Sequence, residues 1–156
     1  MIDMAELSAR SGVPVRKLRY VFDHGVLPGV VGVAPGQGIP RTLTKFEGFA
    51  IALGARLLDT GLTRQLIADC LTVACRCPRE SPSHAPLYHA YLGSHGRLEI
   101  GDGRFVRLFA ARIPGVVAAL DTRWLPLKGG VLPAGYTPAV LVTVELGTLA
   151  ETINRK

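Results

Sequence analysis

The first half of the chain carries apolar residues at helical spacing, in segments that end at glycine or proline. A short helix is predicted to begin at Asp3, because the Asp3–Glu6 spacing resembles a capping box, and to end at Gly12. Pro14 suits the first position of a second helix, which runs to about His24, because its missing N–H is not needed there. The inward-facing residues of that second helix are Leu18, Val21 and Phe22.

Two further helices are predicted in the same half of the chain. Thr44 and Glu47 form a capping box at the start of the third helix, which covers about residues 45–60 and stops at Gly61. Thr63 caps a fourth helix over about residues 64–76. Their apolar faces contain Phe46, Phe49, Ala50, Leu53, Leu57 and Leu58 in the third helix and Leu66, Ile67, Cys70, Leu71 and Ala74 in the fourth.

Between the second and third helices lies the segment PGVVGVAPGQGIP, residues 28–40, with four glycines and three prolines. This composition excludes a helix and predicts two short strands joined by a turn at Pro35–Gly36. A helix, a glycine turn, a second helix, a β-wing and two more helices make up the layout of a winged helix-turn-helix domain. We therefore expect residues 1–76 to form such a domain.

The second half has a different pattern. Residues 77–86 are rich in proline and serine and predict a linker. Three stretches after it, LYHAYL, GRLEIGDGRFVRLFAAR and AVLVTVEL, are typical of strands, with a hairpin turn at Asp102–Gly103 and a last short helix near the end. The expected fold class is α+β, with residues 87–156 forming a small β-rich domain that dimerises or binds a partner.

The composition of the chain limits its possible binding partners and cellular compartment. Its net charge is +6 and its pI is about 9.7, which favours acidic partners such as nucleic acid. The two halves carry equal numbers of charges, so an argument for DNA has to come from local clustering. Three closely spaced cysteines do not form a disulfide framework, and no signal peptide or membrane span is evident. These features indicate a cytoplasmic protein without membrane contact.

A local cluster of positive charge does occur in the second helix. Arg16, Lys17, Arg19 and Tyr20 surround its apolar stripe and are free to point outward. A helix of this kind can enter the major groove of DNA, where arginine binds guanine or phosphate through its planar fork. The alternative for such residues is an ordinary solvated helix face.

The same half of the chain resembles MerR-type transcription regulators. The resemblance rests on MAELSARSGVPVRKLRYVFDHGVLPG and RTLTKFEGFAIALGARLLDTGLTRQLIADCL, above all on LRY and LLDTGLTRQLI, and covers residues 2–76. It implies that Arg16, Arg19 and Tyr20 face DNA and that Arg41 is the arginine of the wing. Lys17 stands where the family usually has threonine. Gln37, at the tip of the predicted wing, is a candidate for contact with the minor groove, and an ordinary loop glutamine is the alternative.

The resemblance does not extend to the way MerR-type proteins dimerise. Those dimers are built on a long C-terminal helix, and Pro78, Pro82 and Pro86 exclude such a helix here.

Other chemistries have little support in the sequence. No catalytic motif or phosphate-binding loop occurs, so we expect neither an enzyme nor a cofactor. Cys75 and Cys77 are spaced too closely for a usual zinc knuckle, and Cys70 belongs to an apolar helix face, so no metal site is predicted. Aromatic residues of the second half are more typical of a core or interface than of a ligand pocket.

The sequence thus predicts a dimeric regulator of transcription that binds double-stranded DNA. Two alternatives remain open at this point. One is an antitoxin that represses its own operon while its β-rich domain binds a toxin. The other is a protein-interaction module whose winged helix packs on protein rather than on DNA.

Overall fold

The computed structural model describes residues 1–23, 42–74, 86–92, 96–109, 124–127 and 130–155. Helices and two antiparallel sheets are both present in these ranges, which confirms the α+β class. In chain order the elements are β1 (Ile2–Asp3), α1 (Met4–Ser11), α2 (Val15–Asp23), β2 (Thr42–Leu43), α3 (Lys45–Asp59), α4 (Arg64–Ala74), α5 (Pro86–Leu92), β3 (Arg97–Gly101), β4 (Phe105–Phe109), β5 (Leu125–Pro126), β6 (Leu141–Glu145) and α6 (Leu146–Asn154).

The four helices predicted in the first half are confirmed, and their ends follow the expected capping chemistry. The Asp3 carboxylate accepts a hydrogen bond from the Glu6 N–H at 2.7 Å, which satisfies a free donor of the first turn of α1. Gly12 ends α1 in the left-handed region, at φ 69°. Thr44 and Glu47 form the reciprocal capping box of α3. These local signals set the boundaries of α1 and α3 to within one or two residues.

A small sheet that the sequence did not predict connects the chain start to the segment before α3. β1 pairs antiparallel with β2, with Ile2 opposite Leu43 and Asp3 opposite Thr42. Strands this short carry no periodicity, so no pattern indicates them in advance. The predicted strands of the wing, together with Gln37 and Arg41, lie outside the described residues.

The second sheet has the strand order β5-β4-β3-β6 and is antiparallel throughout. The β3–β4 hairpin turns where predicted: Asp102 and Gly103 both have positive φ, at 51° and 63°. The Arg104 N–H closes this turn on the Gly101 carbonyl at 3.0 Å. Positive φ at two consecutive residues is the backbone conformation for which the Asp-Gly pair is favoured in hairpin turns.

One strand prediction is wrong: LYHAYL belongs to the helix α5. Leu87, Ala90 and Tyr91 are buried at i, i+3 and i+4, as one face of a helix requires. The Tyr91 ring packs 5.2 Å from the Phe49 ring of α3, centre to centre. Aromatic residues have high strand propensity, and here tertiary packing overrides it. Pro86, which we assigned to the linker, is the first residue of α5; the rest of that segment lies outside the described residues.

The hydrophobic core is continuous between the two halves of the chain. α6 packs against α1, α3 and α5, so the end of the chain lies beside its beginning. The Arg10 guanidinium of α1 donates to the carbonyl of Ile153 at 2.6 Å and also to that of Arg155. A cation at the C-terminal end of a helix satisfies free carbonyls and complements the helix dipole. Arg10 therefore links α1 to the C-terminal end of α6 by hydrogen bonds.

Across the ranges that the structure describes, every helix falls short of the length and apolar character needed to cross a bilayer.

The segment 130–140 crosses one face of the larger sheet and is anchored at Asp102. The Tyr136 hydroxyl donates to the Asp102 carboxylate at 2.7 Å, and the backbone N–H of Val140 donates to the same carboxylate at 2.8 Å. Glycine at position 101 leaves room for the crossing, since a Cβ atom there would lie 2.5 Å from the Tyr136 hydroxyl oxygen and the tyrosine would have to shift. Asp102 thereby sets the point at which β6 begins.

The Tyr136–Asp102 hydrogen bond predicts a pH dependence of stability. Desolvation, followed by the hydrogen bond to Asp102 and the charge of that carboxylate, raises the pKa of Tyr136 to about 12. The same hydrogen bond lowers the pKa of Asp102. A raised pKa means that the protonated phenol is favoured by folding, so its contribution is complete below the ordinary value of about 10 and is lost between pH 10 and about 12. The contribution of Asp102 is present above its ordinary pKa and is lost in acid.

We therefore expect Tyr136→Phe to lower the melting temperature at neutral pH, by an amount that shrinks toward zero as pH rises above about 10. Differential scanning fluorimetry of both proteins across a pH series checks this. Tyr91, whose pKa is also raised by burial, is present in both proteins and cancels in the comparison. A difference in melting temperature that stays constant up to about pH 12 would show that the hydrogen bond does not contribute to stability.

Candidate nucleic-acid interface

α2 has one buried face and one exposed face. Leu18 and Val21 are fully buried, and Val21 packs against α3. Arg16, Arg19 and Tyr20 are exposed to solvent, and their spacing of i, i+3 and i+4 places them side by side on the helix surface. Three of the predicted DNA-binding residues therefore share one accessible face.

Among the described residues, no acidic side chain neutralises the two arginines of this face. Within the described ranges, neither Arg16 nor Arg19 forms a hydrogen bond or an ion pair. The Tyr20 side chain is 40% exposed, which is high for an aromatic ring in a folded chain. A surface with two unpaired guanidinium groups and an exposed phenol is suited to binding phosphate oxygens and base edges.

Lys17 does not belong to this face. Its side chain is half-buried and forms an ion pair with Asp59 at the C-terminal end of α3. One residue along a helix rotates the side chain by about 100°, so Lys17 lies on the flank of α2 that faces α3, away from Arg16. Lys17 thus holds the two helices together, and the sequence-based expectation that its charge faces outward with Arg16 and Arg19 differs from this arrangement.

The turn between α1 and α2 is held by several hydrogen bonds. The Ser8 hydroxyl donates to the Val13 carbonyl at 2.7 Å, and the Val13 N–H donates to the Ser11 hydroxyl at 3.2 Å. From α3, the Arg56 guanidinium donates to the Ser11 carbonyl at 2.7 Å. These contacts fix the orientation of α2 before any ligand binds, and fixed geometry lowers the entropic cost of binding.

Close packing against α3 also positions α2. Gly54 of α3 lies under Val21, and a Cβ atom at position 54 would come within 2.9 Å of the Val21 side chain. The absence of a side chain at Gly54 lets the two helices approach closely. Because Val21 is on the buried face, this approach directs the arginine-bearing face outward.

Sequence reasoning missed the supporting residues of this site. Arg56 and Asp59 fall within the predicted third helix, and no pattern in the sequence indicated that Arg56 contacts Ser11 of α1 or that Asp59 contacts Lys17 of α2. The spacing of Ser8 and Ser11 around Gly12 is a local signal that could have indicated a hydrogen-bonded turn. The contacts of Arg56 and Asp59 depend on how helices pack and leave no comparable signal.

A second group of arginines is neutralised within the larger sheet. The Glu99 carboxylate, 5% exposed, forms ion pairs with Arg107 at 2.5 Å and with Arg97 at 3.0 Å. The Arg107 guanidinium also lies 4.3 Å from the centre of the Trp124 ring, within cation–π distance. These arginines stabilise the sheet and differ in that respect from the pair on α2.

The remaining candidate chemistry is limited. Burial, followed by the charge of Asp69, raises the pKa of the Cys70 thiol to about 12, so this thiol is unreactive at neutral pH. The described part of the chain contains no group of three or more histidine, cysteine or acidic side chains placed to hold a metal ion. Cys75 and Cys77 lie outside that part.

Among the described residues, the aromatic side chains of the second half fall into two separate groups. Tyr88 and Tyr91 pack with Phe46 and Phe49 of α3, whereas Trp124 and Tyr136 contact each other on the larger sheet. A separate open cleft of about 410 Å³ lies between α4 and the β3–β4 turn. Its lining is mainly apolar, with Asp69 and Arg104 as the charged residues.

Comparisons with known proteins add no further assignment. No protein-family model matches the sequence, and no curated protein or solved structure shows significant similarity to the chain.

Proposed function

We propose that this protein binds double-stranded DNA through α2, as a regulator of transcription with a winged helix-turn-helix of the kind that MerR-type proteins contain. The single observation that carries the proposal is the outward face of α2, where Arg16 and Arg19 are unpaired within the described residues and lie beside the exposed Tyr20. The connections in the first half support the same layout, because β1 pairs with β2 at the place where a wing would return to the domain.

In the proposed complex, α2 lies in the major groove. A guanidinium can bind the O6 and N7 atoms of guanine with two hydrogen bonds, or two oxygens of a phosphate. Tyr20 donates its hydroxyl to a phosphate oxygen. Lys17 and Arg56 support the interface by keeping α2 in a fixed orientation. Lys17 does so through its ion pair with Asp59, and Arg56 through its hydrogen bond to the Ser11 carbonyl.

The wing completes the proposed interface. Gln37 and Arg41 are assigned to it from the sequence, with Arg41 reaching the phosphate backbone or the minor groove. One helix-turn-helix makes few base contacts, so stable recognition of an operator needs two copies related by a two-fold axis.

Selection from a random pool of DNA duplexes tests the proposal without knowledge of the operator. We expect the intact chain to enrich a sequence motif with inverted symmetry, and fluorescence anisotropy to show that affinity for it falls as salt rises. Each phosphate contact contributes about 0.9 to the slope of log affinity against log salt concentration. Absence of any enriched motif, together with binding that is weak and insensitive to salt, would overturn the proposal and favour a protein-interaction module.

A further inference from the structure

β6 forms one edge of the larger sheet, and in the described residues it pairs only with β3. At the start of this strand, Val140 and Leu141 are 65% and 47% exposed, which places them among the most exposed large apolar side chains of the structure. A five-residue edge with exposed apolar side chains is a template for pairing with another strand.

The register of β6 shows which of its backbone groups point outward. Asp102 donates its N–H to the Val140 carbonyl, and Leu146 donates to the Gly96 carbonyl, so the even-numbered residues between them pair with β3 by hydrogen bonds. In an antiparallel ladder the alternate residues direct their N–H and C=O groups to the opposite side. Leu141, Thr143 and Glu145 therefore present a row of backbone donors and acceptors at the outer edge.

The two edges of this sheet differ in a way that favours pairing at β6. β5, at the opposite edge, has two residues, and the second is Pro126. Short edge strands and proline are common protections against unwanted pairing. β6 contains neither proline nor a positively charged residue, and its single charge, Glu145, lies at its last position. Within the described ranges, its outer edge lacks the usual protections.

The sequence of β6 is compatible with pairing to a second copy of itself. When two β6 strands run antiparallel and are centred on Thr143, Thr143 faces Thr143 of the second copy and Leu141 faces Glu145. Val142 faces Val144, and such β-branched pairs are favourable across strands. The two Glu145 carboxylates are then about 14 Å apart along the strands, beyond the screening length of about 8 Å at physiological salt. No like charges oppose each other in this register.

We propose that β6 is the dimerisation edge of this protein, where a second copy of the chain pairs antiparallel about Thr143 and extends the sheet across the dimer. The outward groups of Leu141, Thr143 and Glu145 would form about six hydrogen bonds between the chains. Val142 and Val144 are partly buried against the core, and the same residues of the second copy would bury them further. The pairing also brings two copies of α2 into one particle, which deepens the proposed function, although its own observations do not depend on DNA.

Charge substitutions at Thr143 test both the edge and the register. The proposed axis places the two copies of this residue about 5.5 Å apart, Cα to Cα. Thr143→Lys and Thr143→Glu are each expected to raise the dimer dissociation constant about tenfold or more, because like charges then oppose each other. An equimolar mixture of the two variants should recover dimers, since Lys now faces Glu. Thr143→Ser is the matched control and should dimerise like the wild type.

Sedimentation equilibrium without DNA measures these dissociation constants, and circular dichroism confirms that the variants are folded. A monomeric wild type at micromolar concentration would overturn the proposal, as would Thr143→Lys and Thr143→Glu proteins that dimerise normally. Loss of dimers in each variant without recovery in the mixture would overturn the register about Thr143. Because the measurement contains no DNA, its failure is distinct from failure of the duplex selection.

Discussion

Replacing Arg16 and Arg19 together with alanine is expected to weaken duplex binding by about 100-fold or more. Each arginine contributes about 1–3 kcal/mol if it contacts a base and a similar electrostatic share if it contacts phosphate. Both side chains are exposed and make no contact that the described fold needs, so the protein should remain folded. Fluorescence anisotropy with the selected duplex measures the loss, and thermal unfolding verifies the fold.

Two comparisons make the arginine experiment specific. Arg104→Ala removes the same charge from an exposed arginine of the β3–β4 turn and should change affinity little. The double variant Arg16→Lys, Arg19→Lys keeps both charges but lacks the planar guanidinium. Compared with the double alanine variant, it should regain the salt dependence of binding but not the sequence preference. Equal binding by the double alanine variant and the wild type would show that α2 is not the DNA-contacting helix.

Phe49→Ala is expected to produce the largest loss of stability, about 3–5 kcal/mol. The Phe49 side chain is fully buried in α3, and its ring packs against Tyr91 of α5 and Phe46. Truncation removes apolar contacts and leaves a cavity where the two halves of the chain meet. A domain of ordinary stability has about 5–15 kcal/mol to lose, so this variant approaches the threshold of unfolding.

Urea denaturation followed by circular dichroism measures this loss. Phe46→Ala is the control, because Phe46 touches the same aromatic group but is only partly buried, and its truncation should cost less. Because the core is continuous, both variants should unfold in a single transition at lower urea than the wild type. A loss below about 1 kcal/mol for Phe49→Ala would contradict the packing described for this ring.

Much of the helical part of the fold could be predicted from sequence, since its signals are local. Asp3, Gly12 and Thr44 act within one turn of the helices that they start or end, and the apolar spacing of α3 is visible over several turns. The Asp102–Gly103 turn is also local, because positive φ at two consecutive residues depends on residue type. α5 was missed because its seven residues are too few to separate a helical period from an alternating one.

The candidate interface also has one part that the sequence could predict and one part that it could not. Exposure of Arg16, Arg19 and Tyr20 follows from the period of α2 once Leu18 and Val21 are recognised as buried. The ion pair of Lys17 with Asp59 depends on the packing of α2 against α3, which the sequence does not encode in any nearby pattern. For that reason the sequence predicted the exposed face of α2 better than it predicted the residues that hold this helix in place.

If the protein binds DNA as we propose, the contact between Arg10 and the end of α6 restricts how its DNA specificity can change. Grafting residues 1–76 onto an unrelated effector segment would leave the Arg10 guanidinium without the Ile153 carbonyl and strip α1 and α3 of the helix that covers them. Exchange of residues 1–76 as a block would therefore yield poorly folded hybrid proteins. Single substitutions on the exposed face of α2 leave the contact between Arg10 and the Ile153 carbonyl intact and offer the more accessible evolutionary route.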